Sequence, residues 1–215
     1  MQKGMWAGQA CYIVGGGPSL KGFDWDLLKG LPNIMVLNKA FSSVPWADMC
    51  FVEDARFIRR FGEELVSFAG KKVWHVALGT NKEEVQAAVN RDPHLELVYE
   101  TRSDKYWSKS FCQGLSSSSN AAVGAINVAD LFDADPIYLM GIDCRAENQN
   151  MGNFHNSYPR EWAVGAMQAL NFKSDFENWV QPHTKHRRII NLVNPAFEST
   201  IEGWPKEQLA VHFGR

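Results

Sequence analysis

Chemistry is first legible in this chain at Gly15-Gly16-Gly17-Pro18-Ser19, which follows the apolar run Cys11 to Val14. Consecutive glycines permit positive φ and close backbone approach, and Pro18 suits a helix or turn start, where its missing N–H is no loss. Such a turn points successive N–H groups into one space, which suits an anion such as phosphate. A tight turn without a ligand fits the same residues equally well. The spacing is neither the Walker pattern, which needs Gly-Lys-Ser/Thr, nor Gly-x-Gly-x-x-Gly, because position 20 is Leu.

Related groups recur wherever another apolar run stops. They are Asn38, the Glu53/Asp54 pair, the Ser116–Asn120 turn with Ser118, Ser119 and Asn120, the Gly141/Asp143 pair, and Asn191 with Asn194. Asparagine offers both a donor and an acceptor, which suits a ribose or a base edge. A serine run at a helix start can hold phosphate on its N–H groups. Taken singly, each is a cap or turn residue. Their shared position at strand ends is what favours a nucleotide, because open parallel sheets bind ligands at the carboxyl edge near a switch in strand order.

The elements that must position them follow from periodicity. The unbroken apolar run at 11–14, the apolar stretches at 33–38, 48–52, 71–77, 95–99 and 136–143, and a basic one at 187–193 read as strands, the first buried on both faces. Between them, 23–30 reads as a short helix capped by Asp24 and closed by Gly30. Residues 55–69 form an amphipathic helix with Phe57, Ile58, Phe61, Leu65 and Phe68 on one stripe. Further helices are expected at 81–90, at 120–132 (rich in small residues), at 161–180 and near 205–211. Residues 1–9 read as a loose polar lead containing Trp6. Strands alternating with helices predict a single α/β Rossmann-like domain over 1–215, its mostly parallel sheet covered by helices on both faces.

Composition narrows the functional classes. The chain has 215 residues, 45% hydrophobic, with a net charge of −2, which supports a real core and argues against a nucleic-acid binder working through a basic surface. No apolar run reaches membrane-spanning length and the start lacks a secretory apolar segment, so a cytoplasmic protein without a membrane partner is expected. Cys11, Cys50, Cys112 and Cys144 lie too far apart for a C-x-x-C site, and Cys11 and Cys50 read as small core hydrophobes.

Three groups look functional and have plainer readings. Asp133-Ala-Asp135 has the letters of a metal-binding D-x-D motif, but it precedes a strand and reads as a turn at the opposite edge. Lys185-His-Arg-Arg188 reads as a solvated edge, with phosphate or nucleic-acid contact the alternative. His75 lies inside a strand and reads as structural. Glu53, Asp54 and Asp143 are a possible Mg²⁺ set, or else sugar ligands and a helix cap.

Taken together, Val14-Gly-Gly-Gly-Pro-Ser-Leu-Lys21, Leu37-Asn-Lys-Ala-Phe41, the serine turn and Ile137-Tyr-Leu-Met-Gly-Ile-Asp143 resemble, in order, the bacterial CMP-sialic-acid-dependent sialyltransferases. The glycine turn and Gly-x-Asp strand end are similar also to motility accessory proteins and hydroxymethylpterin pyrophosphokinases. Asn191-Leu-Val-Asn-Pro-Ala-Phe-Glu-Ser199 resembles the ending of those proteins and of phage-encoded relatives. The resemblance implies a nucleotide-sugar donor held by Gly15, Gly16, Gly17, Ser19, Asn38, Ser118, Ser119, Asn120, Gly141, Asp143 and Asn194. It implies a metal-free transfer with no resident cofactor, His155 as general base, and Tyr158 and Arg160 donating to the leaving phosphate. The chain departs from the sialyltransferases in having Gly16 where they carry Asn, and a shorter lid before the histidine.

Three functions are therefore on the table. The first is a nucleotide-sugar-dependent glycosyltransferase of unknown acceptor; the second is a Mg²⁺-dependent diphosphotransferase. The third is a nucleotide-binding protein without catalysis, and in every case the expected partner is a nucleotide or nucleotide-sugar.

Overall fold

The computed structural model describes residues 1–101, 107–116, 120–144, 158–159, 162, 166–193 and 206–214. Eight strands form one sheet: β1 Cys11–Val14, β2 Ile34–Leu37, β3 Met49–Val52, β4 Lys71–Val76, β5 Leu95–Tyr99, β6 Ile137–Met140, β7 Ile189–Val193 and β8 Lys206–Gln208. Their order is β5-β4-β3-β2-β1-β6-β7-β8, and every pairing is parallel. The chain builds outward from β1 to β5, then returns to lay β6 on the other side of β1. The switch in direction thus falls between β1 and β6.

Both faces of the sheet are covered, which is why its central strands show no polar alternation. Cys11 and Ile13 face a core shared with α3 (Ala121–Leu131), and that core also takes Phe176 and Val180. Tyr12 and Val14 face the opposite core, built with α1 (Ala55–Val66) and α2 (Lys82–Arg91). The expected stripe Phe57, Ile58, Phe61, Leu65 and Phe68 is buried there. The last long helix, α4 (Ala166–Asp175), passes through a π-helical turn at Phe176–Val180 into Gln181–His183.

α3 is buried almost all round, so its sequence shows no polar stripe. It can lie this close because of Gly124: a Cβ there would stand 2.8 Å from the Phe51 ring. At its far end the carbonyls of Leu131 and Phe132 accept from Gly4 and Trp6, which precede β1. α3 thus ends at the amino edge of the sheet. Its 11 residues reach about 16 Å at about 1.5 Å each, comparable to the depth of the strands, which returns its first turn to the carboxyl edge.

Three expectations are corrected. Residues 1–9 are not a loose lead: Trp6 is buried edge-on to Phe132, and Gly4, Trp6 and Gly8 all donate to the turn that ends α3. The segment read as a helix from 205 begins, within the described residues, as strand β8 at Lys206–Gln208. Its three polar residues carry no apolar signal because it is an edge strand; only Leu209–His212 is helical. Asn191 does not follow its strand but lies inside β7, opposite Leu139. All four cysteines are free, and burial pushes the thiols of Cys11 and Cys50 well above their ordinary range. Among the described residues no helix is long and apolar enough to cross a membrane.

Candidate functional site

At the switch point, the exits of β1 and β6 are locked together. Gly15 N–H donates to Met140 O and Gly17 N–H to Gly141 O, both at 2.8 Å, and Ser19 N–H donates to Asp143 Oδ2 at 2.9 Å. A Cβ on Gly15 would stand 2.4 Å from Ile142 Cδ1, and one on Gly17 would stand 2.3 Å from Asp143 Oδ2. The glycines are therefore required by the approach of the second loop. The expectation of several N–H groups open to an anion is corrected accordingly: three of them are satisfied internally. Of the three glycines, only Gly16 has an N–H with no acceptor among the described residues. Asp143 is 4% exposed, and its carboxylate holds the glycine turn in place.

One strand over, β2 ends in Asn38, whose φ of +49° is the left-handed conformation that asparagine tolerates better than most residues. Its carboxamide Oδ1 is buried and has no hydrogen-bond partner among the described residues. The next side chain, Lys39, turns inward: its ammonium pairs with Glu64 and lies 4.9 Å from the centre of the Phe61 ring. Lys39 N–H donates to Tyr158 Oη over a long 3.4 Å. Tyr158 packs against Phe61 and Trp162, and burial holds its phenol in the neutral form well above ordinary pH. The structure thus brings Tyr158 to the end of β2, with its hydroxyl accepting from the main chain.

The exit of β3 separates its two carboxylates. Asp54 caps α1 by accepting from Arg56 N–H and also binds the Arg56 guanidinium, so its role is the cap. Glu53 turns toward the sheet beside His75, with Oε1 3.6 Å from Nδ1. Burial, opposed by His75 and reinforced by Glu100 and Asp175, raises the pKa of Glu53 above the usual carboxylate range. His75 is fully buried, and neither ring nitrogen has a hydrogen-bond partner among the described residues. Across the cleft Asn120 caps α3 by accepting from Ala122 N–H at 3.0 Å.

Gly15, Gly16, Gly17, Ser19, Asn38, Asn120, Gly141 and Asp143 therefore all stand on the carboxyl edge, with Glu53 and Tyr158 beside them. His155, Arg160, Ser118, Ser119 and Asn194 lie outside the described residues. Among the described residues no three metal-ligating side chains converge, so Glu53, Asp54 and Asp143 are not gathered into one three-carboxylate group. His75, read from sequence as structural, is fully buried in β4. Its position inside an apolar strand masked its neighbour, and only the pairing of β3 with β4 brings it to Glu53.

The amino edge disposes of two further groups. Arg187 binds Asp130 and Asp133, Arg188 binds Asp135, and His186 Nε2 lies 2.9 Å from Asp130 Oδ1. The basic run and the D-x-D letters thus neutralise each other, on the side away from the cleft. No protein-family model, no curated protein and no solved structure matches this chain.

Proposed function

We propose that this chain binds a phosphorylated nucleoside across the ends of β2, β1 and β6, and acts as a nucleotide-sugar-dependent glycosyltransferase without a metal. The observation that carries the reading is Asn38. In a parallel sheet of this kind, the residue that ends the strand next to β1, about 20 positions beyond the glycine turn, faces the ribose of a bound nucleotide. Asn38 occupies that post and presents a buried carbonyl oxygen with no donor to accept from among the described residues. Such a group is costly in a folded protein unless a ligand satisfies it, and a ribose hydroxyl or a base amino group would.

The phosphates then lie over the glycine turn, near Gly16 N–H and the first turn of α3, where the helix dipole favours negative charge. Transfer rather than phosphoryl chemistry is supported by the placing of the carboxylates. Asp54 is committed to Arg56 and Asp143 to Ser19 N–H, and among the described residues no three metal-ligating side chains converge. The test is a thermal-shift series with CMP, UDP, GDP and ATP, each with and without Mg²⁺. Stabilisation by a nucleoside mono- or diphosphate in the absence of metal, lost in Asn38→Ala, is the expected result. A strict requirement for Mg²⁺-ATP would replace this reading with the diphosphotransferase.

A further inference from the structure

Register makes Glu53 and His75 neighbours. β3 and β4 pair Val52 with Trp74, so the residues that follow meet on the face α3 covers. Glu53 keeps 15% of its side chain exposed, whereas His75 is completely buried behind it. At 3.6 Å the two are just beyond hydrogen-bond length, and neither ring nitrogen has a hydrogen-bond partner among the described residues. A buried imidazole with no partner needs an explanation, and packing supplies none: the Phe51 ring and Gly124 around it offer no polar atom from their side chains. The charged groups acting on Glu53 are His75 from β4, Glu100 from the segment after β5, and Asp175 at the end of α4.

We propose that Glu53, held by His75, is the proton acceptor for the acceptor hydroxyl, and that the ends of β3 and β4 form the acceptor subsite beside the donor. The inference rests on the glycosyltransferase reading above. Leu37 pairs with Phe51, which sets Asn38 opposite Val52 and Glu53 one residue further on. Neighbouring strands are about 4.8 Å apart, so Glu53 stands two strand spacings, roughly 10 Å, from a phosphate over the glycine turn, a gap spanned by a donor sugar folded back from that phosphate together with the acceptor hydroxyl. In the step, the acceptor O–H proton passes to the Glu53 carboxylate while its oxygen bonds to the anomeric carbon of the donor. The bond from that carbon to the phosphate oxygen breaks, and its electron pair leaves with the nucleotide. His75 favours the carboxylate form of Glu53 against the burial that disfavours it, and so keeps the base able to take the proton. His75 is a positioning residue and does not touch the substrate.

The decisive comparison is Glu53→Gln against the wild type and His155→Ala, using CMP-, UDP- and GDP-sugars with lactose as acceptor. Nucleotide release should fall about 10²- to 10⁴-fold in Glu53→Gln, the range expected for loss of a general base. Thermal stabilisation by the free nucleotide should be unchanged, and the acidic limb of the pH–rate profile should disappear. His75→Gln should shift that limb, a change a purely structural histidine would not produce; where that variant fails to fold, Glu53→Gln alone decides. Turnover within threefold of wild type in Glu53→Gln, with loss in His155→Ala, overturns the proposal. Carboxyl and imidazole NMR titrations of the unliganded protein give an independent reading, even where no donor sugar is turned over. Titration of His75 that moves when Glu53 is replaced supports the pair, and independent titration overturns it. Failure of the wild type to bind any nucleotide counts instead against the Asn38 reading, so the two failures are told apart.

Discussion

Replacing Gly17 by alanine tests whether the glycine turn exists for backbone packing. Gly17 has φ −64° and ψ 152°, a conformation any residue adopts, so the substitution carries no conformational strain. The added methyl, however, would stand 2.3 Å from Asp143 Oδ2 and 2.5 Å from Gly141 O, both inside the 3.4 Å at which ordinary contact begins. The two loops must part by about 1 Å (3.4 against 2.3 Å). That movement breaks the Gly17–Gly141 bond, worth about 1 kcal/mol, and the charge-assisted Ser19–Asp143 bond, worth about 1.5–3 kcal/mol. A loss of about 3–4 kcal/mol is expected, a large share of the roughly 5–15 kcal/mol that folded domains have. Urea unfolding measures it, with Gly30→Ala as the control. Gly30 has φ +81° and open space around its Cβ position, so it reports conformational strain alone, about 1 kcal/mol. Were Gly17→Ala to cost no more than Gly30→Ala, the packing argument would fail.

Asn38→Gly should keep or raise the melting temperature, because it relieves the +49° φ and removes a buried acceptor. It should weaken nucleotide binding about tenfold, the worth of one hydrogen bond, by calorimetry with CMP. Arg187→Ala should lower unfolding stability by about 2–3 kcal/mol, since a side chain only 14% exposed loses two aspartates at once, leaving Asp130 to His186 and the Trp107 indole N–H. Glu53 sets a pH dependence. Its folded pKa lies above the ordinary value of 4.5, so its contribution to stability is complete below that value and lost as pH rises through the folded one. Glutamine stays neutral throughout. Glu53→Gln should therefore match the wild type in urea midpoint at about pH 4 and exceed it at about pH 8, and a lower midpoint at the higher pH refutes the shift.

The parts of the fold that were legible are those in which burial on both faces writes itself into composition. The unbroken run at 11–14, and the apolar stretches at 33–38 and 48–52, contain observed strands, and the stripe from Phe57 to Phe68 is the buried face of α1. β8 escaped because an edge strand of Lys206, Glu207 and Gln208 buries nothing that a hydrophobic pattern would reveal. The carboxyl-edge residues could be gathered from sequence because a parallel sheet sends every strand end to one rim. What each does there was less legible. Whether Gly17 faces a phosphate or a neighbouring loop depends on contact with Gly141 and Asp143, more than a hundred positions away in the chain. The cancellation of Arg187 by Asp130 is equally nonlocal, at a separation of 57.

Charge divides the rim, and that division orients any anionic ligand. Glu53, Glu100 and Asp175 interact around the ends of β3 to β5. At β1, β2 and β6 the groups nearest the cleft are main-chain atoms, a carboxamide and an Asp143 carboxylate already bound to Ser19 N–H. A phosphate charge about 6 Å from a carboxylate is repelled by about 3 kcal/mol at an effective dielectric of about 20, enough for roughly a hundredfold preference. In the proposed reading, a nucleotide keeps its phosphates over the glycine turn and turns its uncharged part toward β3. The half of the rim that repels the donor's phosphates is then the half whose carboxylates can accept hydrogen bonds and a proton from a sugar hydroxyl. Because the phosphates settle away from Glu53, CMP is expected to bind Glu53→Gln within about twofold of its affinity for wild type, measured by calorimetry. A tenfold gain would place them against it, contrary to the arrangement argued from Asn38.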